Sequence, residues 1–257
     1  EEEVLGRNVV DTIVPRQDQP GLHLVTMMKD IRAHPEHYVN NENENLCKDG
    51  RRVWISWTNK ALYDREKNFV EILSVGNDIT RRKEAEDELA RAAHTDPLTG
   101  ALNRRAGMLL LRQALVTGSR RKAPVSIIFL DINGLKKVND KHGHREGDEL
   151  IQGTVSALAH VLRESDALCR LGGDEFLAIL VDCGAEGARH VWRRMTEQLQ
   201  ALNAATEKPY RFSISHGVCV YDGQSPAPDA NEFINAADER MYAEKTRHKA
   251  ALNERPR

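Results

Sequence analysis

The sequence predicts an α/β fold for residues 94–257, and three observations predict it. Strand-like and helical patterns alternate along this stretch, the run "VSIIFLDI" is apolar almost throughout, and two strands meet at Gly172-Gly173. A continuous apolar run of that length fits a central strand covered on both faces. Strands and helices alternating around one sheet that includes a hairpin point to a ferredoxin-like arrangement with a central mixed sheet.

The elements follow in order. In residues 1–80, "LVTMMKDIRAH" is a short helix candidate. "HYVNNENENLCKDGRRVWISWTNKALYD" then reads as two strands around Asp49-Gly50, a strong hairpin signal. "FVEILSVGNDIT" supplies a third strand, alternating as far as Gly76. Composition then turns helical in "TRRKEAEDELARAAH", with Ala85, Leu89 and Ala92 on one face at coiled-coil spacing. This helix buries little alone, so residues 81–93 are expected to be a linker whose seam meets a second copy of the chain. From residue 94 come a turn and amphipathic helix ("DPLTGALNRRAGMLLLRQAL"), the apolar strand, and two helices separated by Gly143. The second of these runs through "REGDELIQGTVSALAHVLR". The hairpin "DALCRLG"–"EFLAILVD", a helix, the alternating strand "YRFSISHGVCVY" and a last helix, "NEFINAADERMYAEKTRHK", complete the unit.

Composition narrows the function. A net charge of -2 gives no general pull toward polynucleotides or anionic membranes, and 5% aromatic residues make a row of base-stacking platforms a poor expectation. The 4 cysteines have no paired spacing, which argues against a zinc site or disulfide framework and fits a reducing, cytoplasmic setting. No apolar run approaches membrane-spanning length. The chain starts on three glutamates without Met, so the expectation is a segment of a longer protein, itself compatible with a membrane anchor.

The candidate site comes from three places. Asp131 closes the apolar strand, and ligands of open α/β sheets sit beyond strand ends. Asp174 and Glu175 stand side by side at the hairpin tip, where adjacent carboxylates need a partner or water. Lys245 and Lys249 lie four apart on one face of the last helix. Carboxylates from separate elements suit a hard cation, most simply Mg²⁺ (or Mn²⁺), and lysines facing them suit a polyphosphate.

"HTDPLTGALNRR", "DINGLKKVNDKHGHREGDE", "RLGGDEF" and "ADERMYAEK" resemble, in order and spacing, the successive signatures of the GGDEF family of diguanylate cyclases. The resemblance implies condensation of two GTP into cyclic di-GMP with release of two pyrophosphates, each subunit of a homodimer holding one GTP. It implies that Asp131 and Asp174, with the carbonyl of Ile132, hold the metal, and that Glu175 is a further ligand or the base, both roles staying open. Gly172 and Gly173 let the nucleotide lie on the hairpin backbone. Asn139 and Asp148 match the guanine-reading positions; Lys136, Lys245 and Lys249 join the GTP-binding set. The second lysine of the last helix is Arg in many relatives, so its contact is expected to be less bidentate here. Asn133 and Gly134 stand where relatives often show Asp and an aromatic residue.

Two further matches remain. "RESD" places Arg163 and Asp166 as the R-x-x-D of product-inhibited cyclases, where cyclic di-GMP acts as inhibitor; the alternative is an ordinary helix end followed by a turn. Residues 1–80 resemble the later part of a PAS domain through "GRNVVDTIVP" and "DGRRVWISWTNKALYD" with "VEILSVGNDITRRKEAE". Its first elements are absent, so no ligand is expected. His23, His34 and His37 read as surface residues rather than haem ligands, and Trp54 and Trp57 as packing on the sheet. The alternative function is a catalytically weak protein that binds GTP or cyclic di-GMP and signals through a partner.

Overall fold

A computed structural model describes residues 5–7, 12–13, 30 and 34–253, with the backbone alone at 35, 36 and 247–253. The helix candidate at 24–34 falls almost wholly outside the described residues, as do His23, most of "GRNVVDTIVP" and the side chain of Lys249. The chain divides into two compact units, Glu1–Ala90 and Arg91–Arg257.

The first unit holds an antiparallel sheet in the order β1-β2-β3: β1 (Asn40–Leu46), β2 (Arg52–Tyr63) and β3 (Phe69–Asp78). The Asp-Gly signal works as its chemistry requires. Gly50 sits at φ 86 and the Asp49 carboxylate accepts from the Arg51 backbone N–H at 3.0 Å. The "NENEN" run does form a strand, with an unusual polar face. Asn43 and Asn45 are buried, and Asn45 accepts from the Trp57 indole at 3.0 Å. Asn59, also buried, donates to Asn41 and accepts from the Ser74 hydroxyl, each at 2.7 Å. Buried amides paired in this way avoid the cost of orphaned polar groups. Gly76 leaves room for the Trp57 ring and Ile55, either of which would lie 2.8 Å from an added Cβ. A cavity of about 770 Å³ lies against the sheet, between Asn45–Lys48 and the side chains of Val53, Ile55 and Trp57. The His34 and His37 rings stack on one another, with both residues exposed. Helix α1 (Thr80–His94) buries none of its side chains and leaves Leu89 70% exposed.

The second unit is a five-stranded mixed sheet in the order β4-β6-β7-β5-β8. Its strands are β4 (Leu102–Asn103), β5 (Val125–Ile132), β6 (Ala167–Gly172), β7 (Glu175–Val181) and β8 (Ile214–Tyr221). All pairings are antiparallel except β4 with β6. Helices α2 (Arg104–Arg121), α3 (Leu135–His142), α4 (His144–Ala159), α5 (Ala185–Ala205) and α6 (Ala230–Asn253) complete it. Every residue of β5 is buried. Ile127 and Phe129 pack with Leu111, Leu115, Ala237 and Met241 of α2 and α6. Ile128, Leu130 and Ile132 pack with Leu150, Val155, Met195 and Leu199 of α4 and α5. The two-residue β4 is too short to carry a sequence pattern, and α4 stops at Ala159, four residues before Arg163. Among the described residues, no helix is long and apolar enough to cross a membrane.

Helix α6 lies close against β8. An added Cβ on Gly217 would stand 1.9 Å from the Ala237 carbonyl oxygen and 2.5 Å from the Met241 nitrogen. Both are backbone atoms, so relief requires α6 to move. Gly217→Ala should therefore destabilise the second unit by about 1–3 kcal/mol and lower its melting temperature by several degrees. An unchanged melting curve would contradict this packing.

Candidate active site

The site forms where β5 ends and β7 begins. Asp131 and Glu175 are directly opposite across these paired strands, and the Ile132 N–H donates to the Asp174 carbonyl at 3.0 Å. The turn that joins β6 to β7 depends on two backbone conformations that favour glycine, Gly172 at φ 153 and Gly173 at φ 53. A Cβ on either would meet nothing within 4 Å, so these glycines serve the turn and leave its outer surface open.

Three positioning contacts were not legible as such in the sequence. Arg170 donates through Nε and Nη2 to the Gly173 carbonyl at 3.1 and 2.8 Å, and through Nη1 to Asp96 at 3.0 Å. Asp96, from "DPLTG", also accepts from the Thr99 N–H and hydroxyl at 3.0 and 2.7 Å. Burial pushes the Asp96 pKa up, but Thr99 and Arg170 outweigh it and hold the carboxyl below its ordinary value. Asn133 ties the end of β5 to the start of β8. Its amide donates to the Ser213 hydroxyl at 3.0 Å and accepts from the Ser215 hydroxyl at 2.9 Å. Gly147 makes room for Asn139, whose Oδ1 would lie 1.9 Å from a Cβ at 147. Asn139 is thereby held against the first turn of α4 at Gly147, the residue before Asp148 in the sequence. Glu146 and Glu149, on either side, take up Lys208 at 2.9 and 2.5 Å, while Asp148 remains exposed.

Lys245 is paired with one of the acids at the strand ends. Its Nζ donates to Asp131 Oδ1 at 2.5 Å, with the Asp131 side chain 11% and that of Lys245 27% exposed. Burial pushes the Asp131 pKa up, Lys245 pulls it back, and Asp174 and Asp238 push it up again, leaving it raised. The Glu175 pKa is also raised, first by partial burial and then by Asp238, Asp174 and Asp131. Asp238, on α6, is a fourth acid in the cluster that sequence reasoning passed over; its only signal was its place in "ADERMYAEK". Among the described residues, no three His, Cys, Asp or Glu side chains converge as a ready metal site. The donors nevertheless fit a hard cation in kind: they are carboxylate oxygens, those of Asp131 and Glu175 have raised pKa values beside Asp174 and Asp238, and the cation on Asp131 is an ammonium.

The remaining residues lie apart from this cluster. Lys136 is exposed on the first turn of α3. Arg163 is exposed in the loop before β6, where Asp166 Oδ2 accepts from the Arg163 backbone N–H at 3.1 Å. "RESD" is thus a closed turn just beyond the end of α4, with Arg163 exposed.

The raised Glu175 pKa has a stability consequence. Folded Glu175 binds its proton more tightly than the unfolded chain, whose value is near 4.5. Its contribution to stability is therefore full below that value and is lost as pH rises through the folded pKa. Glu175→Gln should melt above the wild type at pH 7, and the difference should vanish on acidification below the ordinary glutamate range. A variant that melts lower at pH 7 would contradict the crowding of charge.

Comparison with known proteins places this arrangement. The family described as diguanylate cyclase, GGDEF domain, matches residues 93–251. "Probable diguanylate cyclase DgcE" of Escherichia coli K12 is 30% identical over 77% of this chain and 18% of its own length. "Cyclic di-GMP phosphodiesterase PdeR" of the same organism is 30% identical over 77% of this chain and 29% of its own. The chain thus spans less than a third of either relative. A solved microbial GGDEF domain, described in an interaction with cyclic di-GMP, aligns at TM-score 0.53 and 31% identity. It covers 62% of this chain and 94% of its own. With the family signature lying over more than half its length, this chain belongs to the diguanylate cyclase GGDEF-domain family.

Proposed function

We propose that this chain condenses two GTP molecules into one cyclic di-GMP and two pyrophosphates, two copies each presenting one GTP. One observation carries the reading: Asp131 and Glu175 face each other at the end of paired strands beside Asp174, in an acidic cluster short of positive charge. Asp131 and Asp174, with the Ile132 carbonyl, are the residues that would hold Mg²⁺ or Mn²⁺. Bound there, the ion would neutralise charge on the transferring phosphoryl group.

The chain's own residues then have distinct tasks. The open backbone of Gly172 and Gly173 receives the nucleotide, and the Arg170–Asp96 brace holds that turn in shape. Asn139, which packs against Gly147, and Asp148 read the guanine edge. Lys245, with Lys136 and Lys249, binds phosphate oxygens. Glu175, its pKa raised by partial burial and the neighbouring acids, accepts the proton of the attacking 3′-hydroxyl. The new bond joins that oxygen to the α-phosphorus of the other GTP, the α–β bridging P–O bond breaks, and pyrophosphate leaves with the electron pair. Two copies are brought together through α1, where Leu89 is exposed on the seam with Ala85. Residues 1–80 serve as a PAS-type regulatory unit. Arg163 and Asp166 bind the product, the exposed guanidinium forking onto a guanine edge or phosphate.

A second reading is binding of GTP or cyclic di-GMP without turnover, since one relative that matches most of this chain is named for an activity other than cyclisation. Incubation of the purified chain with GTP and Mg²⁺, with identification of products, separates the two. Cyclic di-GMP and pyrophosphate in a 1:2 ratio are expected, and Asp174→Asn should lower the rate by about a hundredfold or more. Added cyclic di-GMP should slow the wild type, and Arg163→Ala should need about ten- to a hundredfold more for the same effect. Tight GTP binding with no product would establish the second reading.

A further inference from the structure

β8 is an edge strand, and an edge leaves a row of backbone N–H and C=O groups without a strand to pair with. Here the last helix supplies partners. The Arg240 guanidinium donates to the Val218 carbonyl at 2.5 Å, and Glu244 Oε2, one turn further on, accepts from the His216 N–H at 2.9 Å. The His216 ring adds to the hold. Its Nδ1 lies 2.6 Å from the same carboxylate oxygen. The ring also stacks on Trp192 of α5, with centroids 3.6 Å apart and planes within 9°. Between the two tethers lies Gly217, where α6 comes closest to β8.

Lys245 is the residue after Glu244. Residues 216 and 218 of β8 therefore fix both the rotation and the register of α6 one residue before the ammonium that reaches Asp131. A helix turn that slips by one residue rotates each side chain by about 100°, which would carry Lys245 off the carboxylate cluster. The geometry points to Arg240 and Glu244 as positioning residues for Lys245. They clip α6 to the open edge of β8 and so aim that lysine at the catalytic face. The inference rests on the proposed function only where it concerns GTP; the placement of Lys245 stands by itself.

The test uses the full chain in two arms. In the first, surface lysines are acylated with a water-soluble acetylating ester and the rate at each is read by mass spectrometry. The exposed Lys136 serves as internal reference. Wild-type Lys245, held on Asp131, reacts slowly. In Glu244→Ala its rate relative to Lys136 is expected to rise severalfold. Glu244→Gln, whose amide oxygen still accepts from the His216 N–H, should return it close to wild type. In the second arm, Glu244→Ala should raise KM for GTP about tenfold with a much smaller change in kcat, and Glu244→Gln should restore KM. A simple loss of folded protein would instead lower kcat and leave KM in place. If Glu244→Ala does not fold, Arg240→Ala is read in the same way. Unchanged Lys245 labelling in the folded variant overturns the proposal. Absence of cyclic di-GMP from the wild type overturns only the reading of function and leaves the labelling arm to decide.

Discussion

A carboxylate at the end of a strand buried on both faces needs a partner. β5 is buried from Val125 to Ile132, and Asp131, its one ionisable residue, pairs with Lys245 from the far end of the chain. Removing either partner would strand a charge in a poorly solvated place, a loss of about 3–5 kcal/mol for buried pairs. The rest of the second unit follows from this need. α6 must cross β8 closely enough for Lys245 to reach, which requires a residue without a side chain at 217. The β6–β7 turn must lie alongside, which requires Gly172 and Gly173.

The site is braced on every side except the one facing solvent. Arg170 and Asp96 grip the turn from behind, Asn133 fastens β5 to β8, and Lys208 holds the first turn of α4 through Glu146 and Glu149. Within this frame Asp131, Asp174, Glu175 and Asp238 push against one another. Charge crowding of this kind costs stability, and clusters of perturbed carboxylates mark places where a ligand is expected to relieve it. One ammonium offsets part of the excess.

Most of the architecture was legible in the sequence because its signals are local. Apolar continuity marked β5, Asp49-Gly50 and Gly172-Gly173 marked the hairpins, and helical composition marked α1 and α6. The acidic positions Asp131, Asp174 and Glu175 were legible from where they fall relative to strand ends. What escaped is non-local. Asp96 meets Arg170 across 74 positions, and Asn133 meets Ser215 across 82, with no periodicity to announce either. The direct pairing of Lys245 with Asp131 was not legible, because it depends on how α6 crosses β8. Asp238 and Gly147 each carry a role set by a neighbouring helix or strand. β4, at two residues, lies below the length at which any pattern exists.

The central claim is that the acidic cluster at the end of β5 receives GTP together with a divalent cation. Calorimetric titration with a GTP analogue that cannot be cyclised tests it most directly, run with Mg²⁺ and again with a chelator, on wild type and Asp131→Asn. The account predicts saturable binding to the wild type with Mg²⁺, and a large loss of affinity both in chelator and in the variant. Equal affinity in all conditions, or no binding to the wild type with Mg²⁺ present, would contradict it.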